Sequence, residues 1–388
     1  MTAETVTLGC RLNFAESETI ARRAPAGEDW VVVNSCAVTN EAVRQTRQAI
    51  RRAHRRRPDA RILVTGCASE LDSRSFEQMP EVTRVVGNAD KLRAFDAMPS
   101  RQPVPAGSHA RVRSFVAVQT GCDHRCTFCS IWKARGASVS LPFEAIRDAV
   151  VREIDRGARE IVLTGVDITD YAGGLGRLCH RLLAAEPRLE RLRLSSLDSI
   201  EIDEPLLELI AGEQRLMPHF HLSLQAGDDM ILKRMKRRHS RAQAVAAVER
   251  IKIARAEATI GADLIAGFPT ETEEMAQGSL KLFDDCDIVA AHVFPFSPRP
   301  DTPAARMPQL PRETIRARAA RLREAAAERR SGWLDSLVGT LQPVLIESGG
   351  KGHSDAFAPV LVAGARRGDT GRARIAGRDG DTLTGVFE

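Results

Sequence analysis

Cys122, Cys126 and Cys129 stand in a CxxxCxxC run within QTGCDHRCTFCSIWKARG. Three thiolates on one short loop form a ligand set for three irons of a cubane cluster, which leaves the fourth iron without a protein ligand and open to chemistry. Zinc is the competing metal, but a structural zinc site wants four ligands in a closed tetrahedron, usually from two CxxC-type pairs. The fourth ligand is missing locally. His124, inside the first gap, reads as a solvated loop residue rather than as that ligand.

Cys10, Cys36 and Cys67 are far apart in sequence, yet each falls just beyond a strand-like stretch: VTLGC, WVVVNSC and ARILVTGC. In a parallel sheet such strand ends lie along one edge, so their loops can gather three thiolates and hold a second cluster with an open iron. Cys179 and Cys286 lack any such context and read as core or surface residues. Eight cysteines in a chain of this kind are better metal or redox ligands than disulfides.

The elements that position these residues give an α/β chain in several parts. Residues 1–98 alternate short strands and helices, a small parallel α/β unit. The Pro, Ser and Gly-rich stretch 99–110 reads as a linker. Over 111–300, six strand candidates (VRSFVAVQ, REIVLTG, RLRLSS, HFHLSL, TIGADLIAG and DIVAAHVFPF) with helical stretches between them predict an open or partial (β/α)6 barrel. The cysteine loop then sits at the carboxyl end of the first strand, where barrel sites are built. Residues 301–337 form a proline-rich exit and a charged helix from about Thr314 to Leu337. Residues 338–388 carry short strands separated by Gly and Asp, a small all-β barrel.

The chain has 388 residues, 43% hydrophobic and 28% charged, the composition of an ordinary soluble protein. No secretory signal and no apolar run long enough to span a membrane is visible, so the cytoplasm is the expected compartment and no membrane partner is expected. The net charge is +5, and its distribution is informative. Seven arginines and no acid lie between Arg44 and Arg57, and a second cluster runs from Lys233 to His239. Unbroken like charge suggests a polyanionic partner, a solvated helix face being the alternative. Val43, Thr46, Ile50 and Ala53 follow helical spacing, which would leave Arg44, Arg47, Arg51 and Arg55 on another side to meet phosphates. Arg366, Arg367, Arg372 and Arg374 offer a further contact surface in the terminal β segment.

The motifs TLGCRLNFAESE, VVVNSCAVTNEAVRQTRQ, LVTGCASE, GCDHRCTFCSIWKARG, HLSLQAGDDMILKRMKRRH, GADLIAGFPTETEE and HVFPFSPRPDTPA resemble those of the radical SAM methylthiotransferases. Within that family they look most like the branch acting on N6-threonylcarbamoyladenosine at position 37 of tRNA. The resemblance implies that Cys122, Cys126 and Cys129 hold a SAM-binding [4Fe-4S] cluster and that Cys10, Cys36 and Cys67 hold an auxiliary one. Gly165 and Asp167 of LTGVD, with Gln225 of SLQAG, are implied to contact S-adenosyl-L-methionine. The β segment is similar to the TRAM domain, an RNA-binding module. Implied partners are the tRNA anticodon loop, a reductant protein such as flavodoxin or ferredoxin, and a sulfur donor. The rival readings are a methylthiotransferase for isopentenyladenosine tRNA or for a ribosomal protein, and a non-catalytic iron-sulfur RNA-binding redox sensor. Ribosomal-protein enzymes usually show a PKN-type sequence after the first Cys, where this chain has Arg11-Leu12-Asn13.

Overall fold

The computed structural model describes residues 3–25, 27–95 and 111–388. The expected linker 99–110 lies outside the described residues, as does the expected end of the first unit at residue 98.

The N-terminal unit runs β1 (Glu4–Thr7), α1 (Arg11–Arg23), β2 (Trp30–Ser35), α2 (Asn40–Arg56), β3 (Arg61–Gly66), α3 (Cys67–Leu71), α4 (Ser73–Glu77) and β4 (Arg84–Val85). Its four strands are parallel in the order β1-β2-β3-β4. β2 is buried along its whole length because both faces are covered, the normal state of a parallel sheet. Val31, Val33, Ile62 and Val64 pack on Ile50 and Ala53 of α2 and Phe76 of α4. Val32 and Leu63 pack on Ile20 of α1 and on Phe95. β4 goes beyond the three strands expected: two residues long, it carries no readable period.

The central unit contains all six expected strands. They appear in β5 (Arg113–Ala117), β6 (Gln119–Thr120), α5 (Ile131–Arg135), β7 (Val139–Ser140), α6 (Phe143–Asp155), β8 (Glu160–Thr164), α7 (Leu175–Ala185), β9 (Arg191–Leu194), α8 (Glu204–Gly212), β10 (His219–Gln225), α9 (Asp229–Met235), α10 (Arg241–Ala254), β11 (Thr259–Ala266), α11 (Glu273–Asp285) and β12 (Ile288–Pro295). Two parallel three-stranded sheets, β5-β8-β9 and β10-β11-β12, are joined by the single bridges Leu192 to Leu216 and Leu197 to Leu222. The arc is therefore an open half-barrel. One face of its strands, including Ile161, Leu163, Leu192, Ile260, Ala262 and Leu264, packs with Ile146, Leu178, Leu182, Val248 and Leu282 of the surrounding helices. Cys179 and Cys286 are fully buried in that apolar layer. The other face looks into the lumen and is polar, with Glu160, Arg193, His221 and Asp263.

α12 (Arg312–Ser336) begins two residues before the expected start and packs along β12. It ends at a closed five-stranded barrel, β13 (Leu341–Ser348), β14 (Lys351–Ser354), β15 (Pro359–Val362), β16 (Thr370–Asp379) and β17 (Thr382–Phe387), in the order β13-β14-β15-β17-β16. Closure removes every sheet edge. The turn between β14 and β15 plugs the amino-terminal mouth of the half-barrel. Phe357 stacks between His219 and His353, with ring centroids 5.2 and 4.5 Å away, and lies under the guanidinium of Arg193 at 4.6 Å. Asp355 pairs with Arg191, and Thr259 donates to the Ala356 carbonyl at 2.9 Å. Beneath this plug, burial opposes ionisation of Glu160, yet Arg193, Arg191 and Arg113 hold its carboxyl down to about 2. Among the described residues no helix is long and apolar enough to cross a membrane.

Candidate active site

The CxxxCxxC loop leaves the half-barrel at the carboxyl end of β5. The ribbon of β6 and β7 clamps its two ends together, with Cys122 N donating to the Gly136 carbonyl at 3.1 Å. Gly121 is required at this pinch: its φ is +78°, and a Cβ there would lie 1.8 Å from the Ala137 carbonyl oxygen. Thr127 anchors the middle of the loop on α9, its N–H donating to Met235 O at 3.0 Å and its hydroxyl to Arg234 O at 2.7 Å. Burial pushes the Cys122 thiol up to about 12 and the Cys129 thiol to about 11.

The second set forms on the facing edge of the N-terminal sheet. Cys10 is the N-cap of α1, Cys36 follows β2, and Cys67 opens α3. The Cys36 sulfur packs against Gly9, where a Cβ would stand 2.7 Å from it at a φ of +91°. Burial raises the Cys36 thiol to about 11, and Cys10 and Cys67 are both near enough to add to that shift. The three cysteines expected to converge at strand ends thus lie together. α5, which begins two residues after Cys129, packs on α3, and Cys67 is close enough to contribute to the raised Cys129 pKa. The two thiol sets face one another across this short helix.

Cations line both sets. Arg135 on α5 places Nε 3.3 Å from Cys67 Sγ, and its other nitrogens donate to Glu16 at 2.8 and 2.9 Å and to Asn13 Oδ1 at 2.7 Å. Arg237 sets Nη1 3.7 Å from Cys126 Sγ while Nη2 donates to Asp198 at 2.9 Å. Arg299 lies beside Cys36 and donates to Asn40 Oδ1. The Nε atoms of Arg237 and Arg299 are buried without a partner among the described residues. Clustered thiols, adjacent guanidiniums and unpaired N–H donors on two of those guanidiniums fit anionic thiolate-ligated clusters, whose charge and bridging sulfides take such donors.

Of the residues expected to contact SAM, Gly165 and Asp167 lie against the cysteine loop. Gln119 accepts from the N–H groups of Val166 and Asp167 at 3.1 and 3.0 Å and donates to Gly121 O at 2.9 Å, tying the two loops together. Gln225 ends β10 with a φ of +66°, on the other sheet. His124 departs from the solvated state expected of it. Its Nε2 is 3.0 Å from Asp167 Oδ2, its side chain is 9% exposed, and the Asp167 hydrogen bond raises its pKa. The fold brings Asp167, Asp198 and Glu201 around a loop whose own neighbours are polar, which spacing alone does not show.

The basic stretches need correction. The 44–57 run has no acid within it, but Glu41 of the same helix and acids from other elements supply them. Arg44 bonds Glu41 at 2.7 and 2.8 Å. Arg47 donates to Ser75 at 2.8 Å, stands 3.6 Å from Asp72 and covers Phe76. Arg51 reaches Glu81 at 3.9 Å, and Arg56 and Arg57 pair with Glu4. Arg55 remains exposed. The 233–239 cluster is split: Lys233, Lys236 and Arg238 are exposed, whereas Arg237 and His239 turn inward toward Asp198, with side chains 7% and 0% exposed. Arg366, Arg367, Arg372 and Arg374 are exposed on the terminal barrel, with Arg374 paired to Glu388.

A CxxxCxxC loop at the carboxyl end of a six-stranded open half-barrel defines a radical SAM protein. Residues 116–283 match the radical SAM superfamily, and residues 2–87 match the family described as uncharacterized protein family UPF0004. The threonylcarbamoyladenosine tRNA methylthiotransferase MtaB of Rickettsia prowazekii is 42% identical over 382 residues, covering 92% of this chain and 91% of the relative. The tRNA-2-methylthio-N(6)-dimethylallyladenosine synthase of Cereibacter sphaeroides is 32% identical over 427 residues, covering 98% and 97%. Among solved structures, the radical S-adenosylmethionine methyltransferase TsrM of Kitasatospora setae shares the fold, with a TM-score of 0.54 at 16% identity over 74% of this chain and 66% of that one. The chain belongs to the radical SAM tRNA methylthiotransferases, enzymes that use a [4Fe-4S] cluster and SAM.

Proposed function

We propose that this enzyme adds a methylthio group to C2 of N6-threonylcarbamoyladenosine at position 37 of tRNA, with two [4Fe-4S] clusters. The observation that carries the reading is the gathering of six cysteines into two sets facing each other across α5, in a chain 42% identical to an enzyme named for that nucleoside. When bound, a cluster with an open iron together with SAM supplies a radical able to take hydrogen from an unactivated carbon, and a second cluster supplies a route for sulfur. Cys122, Cys126 and Cys129 hold the first, and Cys10, Cys36 and Cys67 the second. Arg135, Arg237 and Arg299 offset their negative charge. Gly165, Asp167 and Gln225 border the SAM position, with Gln119 fixing the first two.

The remaining parts have matching tasks. Residues 1–98 carry the auxiliary site, 111–300 the radical SAM core, 301–337 the connector and 338–388 a TRAM-like RNA contact. Exposed arginines of α2 and of the terminal barrel meet the phosphates of the anticodon loop. The target base is already partly unstacked there, so its extrusion costs at most about a few kcal/mol. A reductant protein such as flavodoxin or ferredoxin and a sulfur donor complete the cycle in the cytoplasm.

Nucleoside mass spectrometry of tRNA from cells with and without the protein tests this. Loss of the methylthio group from threonylcarbamoyladenosine alone is expected. Loss from isopentenyladenosine instead overturns the substrate.

A further inference from the structure

The residue after Cys10 is a cation, Arg11, that holds no partner among the described residues. Arg11 opens α1, which lies along β5 at the open side of the half-barrel, with Phe14 and Phe115 ring centroids 6.3 Å apart. Among the described residues Arg11 makes no hydrogen bond and no ion pair, unlike Arg135, Arg237 and Arg299 at the thiol sets. The charged groups whose fields it feels are lumen residues, Arg113, Arg193, Glu160 and Asp263.

Those two acids are already spent. Glu160 receives Arg191 at 3.0 Å and Arg193 at 2.9 Å. One oxygen of Asp263 takes both His221 Nε2 at 2.9 Å and His292 Nδ1 at 3.0 Å. Arg113 is itself satisfied by Glu347 at 3.0 Å. Among the described residues no carboxylate therefore stands within ion-pair distance of Arg11, and a partly desolvated guanidinium without a partner is costly until an anion arrives. A guanidinium fork matches a planar carboxylate with two parallel hydrogen bonds. Phosphates stay on the outer backbone of an RNA loop, whereas an extruded base carries its own N6 substituent into the lumen.

We infer that Arg11 is a specificity residue that binds the carboxylate of the threonylcarbamoyl group, an inference that rests on the substrate reading above. It places the acid-bearing arm of the base on the lumen side of Cys10 and distinguishes that base from one with an uncharged N6 arm.

The test uses the full-length enzyme with both clusters reconstituted and tRNA carrying either the natural threonylcarbamoyl acid or its carboxamide. Wild type is expected to favour the acid by about 10- to 100-fold in kcat/KM, the range of a charge-assisted hydrogen bond lost into an unpaired site. Arg11→Gln should abolish that ratio through KM while the EPR signals of both clusters persist, and Arg11→Lys should restore most of it. Retention of the wild-type acid-to-amide ratio in Arg11→Gln overturns the inference. Equal use of acid and amide by wild type also overturns it, and that measurement stands even where Arg11→Gln fails to load its clusters. A wild-type enzyme that leaves threonylcarbamoyladenosine unmodified defeats the substrate reading instead.

Discussion

The guanidinium of Arg135 lies 3.3 Å from the sulfur of Cys67, although Arg135 is only six residues beyond Cys129 in sequence. One short helix thus carries a charge from the radical SAM loop to the other thiol set. Burial opposes the Arg135 charge, but Glu16 and the thiols of Cys67 and Cys10 hold its pKa above the ordinary arginine value. Glu16 is shared with Lys91 at 2.5 Å, and all three side chains are at most 8% exposed.

Arg135→Ala should therefore destabilise the protein by roughly 2–3 kcal/mol, because the buried Glu16 loses its charge-assisted hydrogen bonds to Arg135 and keeps Lys91. It should also lower iron bound at the Cys10, Cys36 and Cys67 set, while Arg135→Lys should retain more of both. Urea unfolding and iron counts check this. Unchanged iron content in Arg135→Ala would remove Arg135 from the support of that set.

The division of tasks between the sets predicts different lesions. Cys129→Ala should abolish reductive SAM cleavage, measured as 5′-deoxyadenosine under anaerobic conditions. Cys10→Ala should keep at least some cleavage and give no methylthio product. Full methylthiolation by Cys10→Ala contradicts the two-cluster account, and absence of SAM cleavage in wild type returns the chain to an iron-sulfur binding protein.

The raised thiol pKa values also predict a pH dependence. The folded pKa values of Cys122, Cys129 and Cys36 are raised from 9.0 to about 12, 11 and 11. The unfolded chain then releases these protons first, so this contribution to stability is full below pH 9 and is lost as pH rises from about 9 toward 11–12. The metal-free protein should melt at a lower temperature at pH 10 than at pH 8. Cluster ligation needs thiolates, so iron uptake against a chelator should strengthen with pH over the same direction. A metal-free melting temperature that rises from pH 8 to pH 10 would assign the thiols ordinary pKa values.

What the sequence made legible follows from range. The six half-barrel strands are apolar runs bounded by turn residues, so each is readable alone, and the strand-end cysteines follow from the parallel sheet. The ribbon of β6 and β7 is two residues a side, too short for a period, although it shapes the cysteine loop. Arg135, Arg237, Gln119 and His124 acquire their roles from partners as far as 122 residues away, the separation of Arg135 from Asn13. An arginine run likewise reads as free charge until Asp72, Glu81 and Glu4 arrive from other elements.

That neutralisation sorts the arginines of α2 by experiment. Arg55 is exposed and shares a surface groove with Val6, Ala49, Arg52 and Arg56, so a phosphate contact there would meet a cation not already committed to an acid. Arg55→Glu should weaken tRNA binding and lower the slope of log Kd against log salt by about one, with no change in melting temperature. Arg47 is tied to Ser75, Asp72 and Phe76, so Arg47→Glu should lower the melting temperature as well as affinity. Filter binding over a salt series, paired with thermal melts, separates the two effects. An unchanged slope in Arg55→Glu would leave this face of α2 solvated, and the phosphate contacts would then fall to Arg366, Arg367 and Arg372 on the terminal barrel.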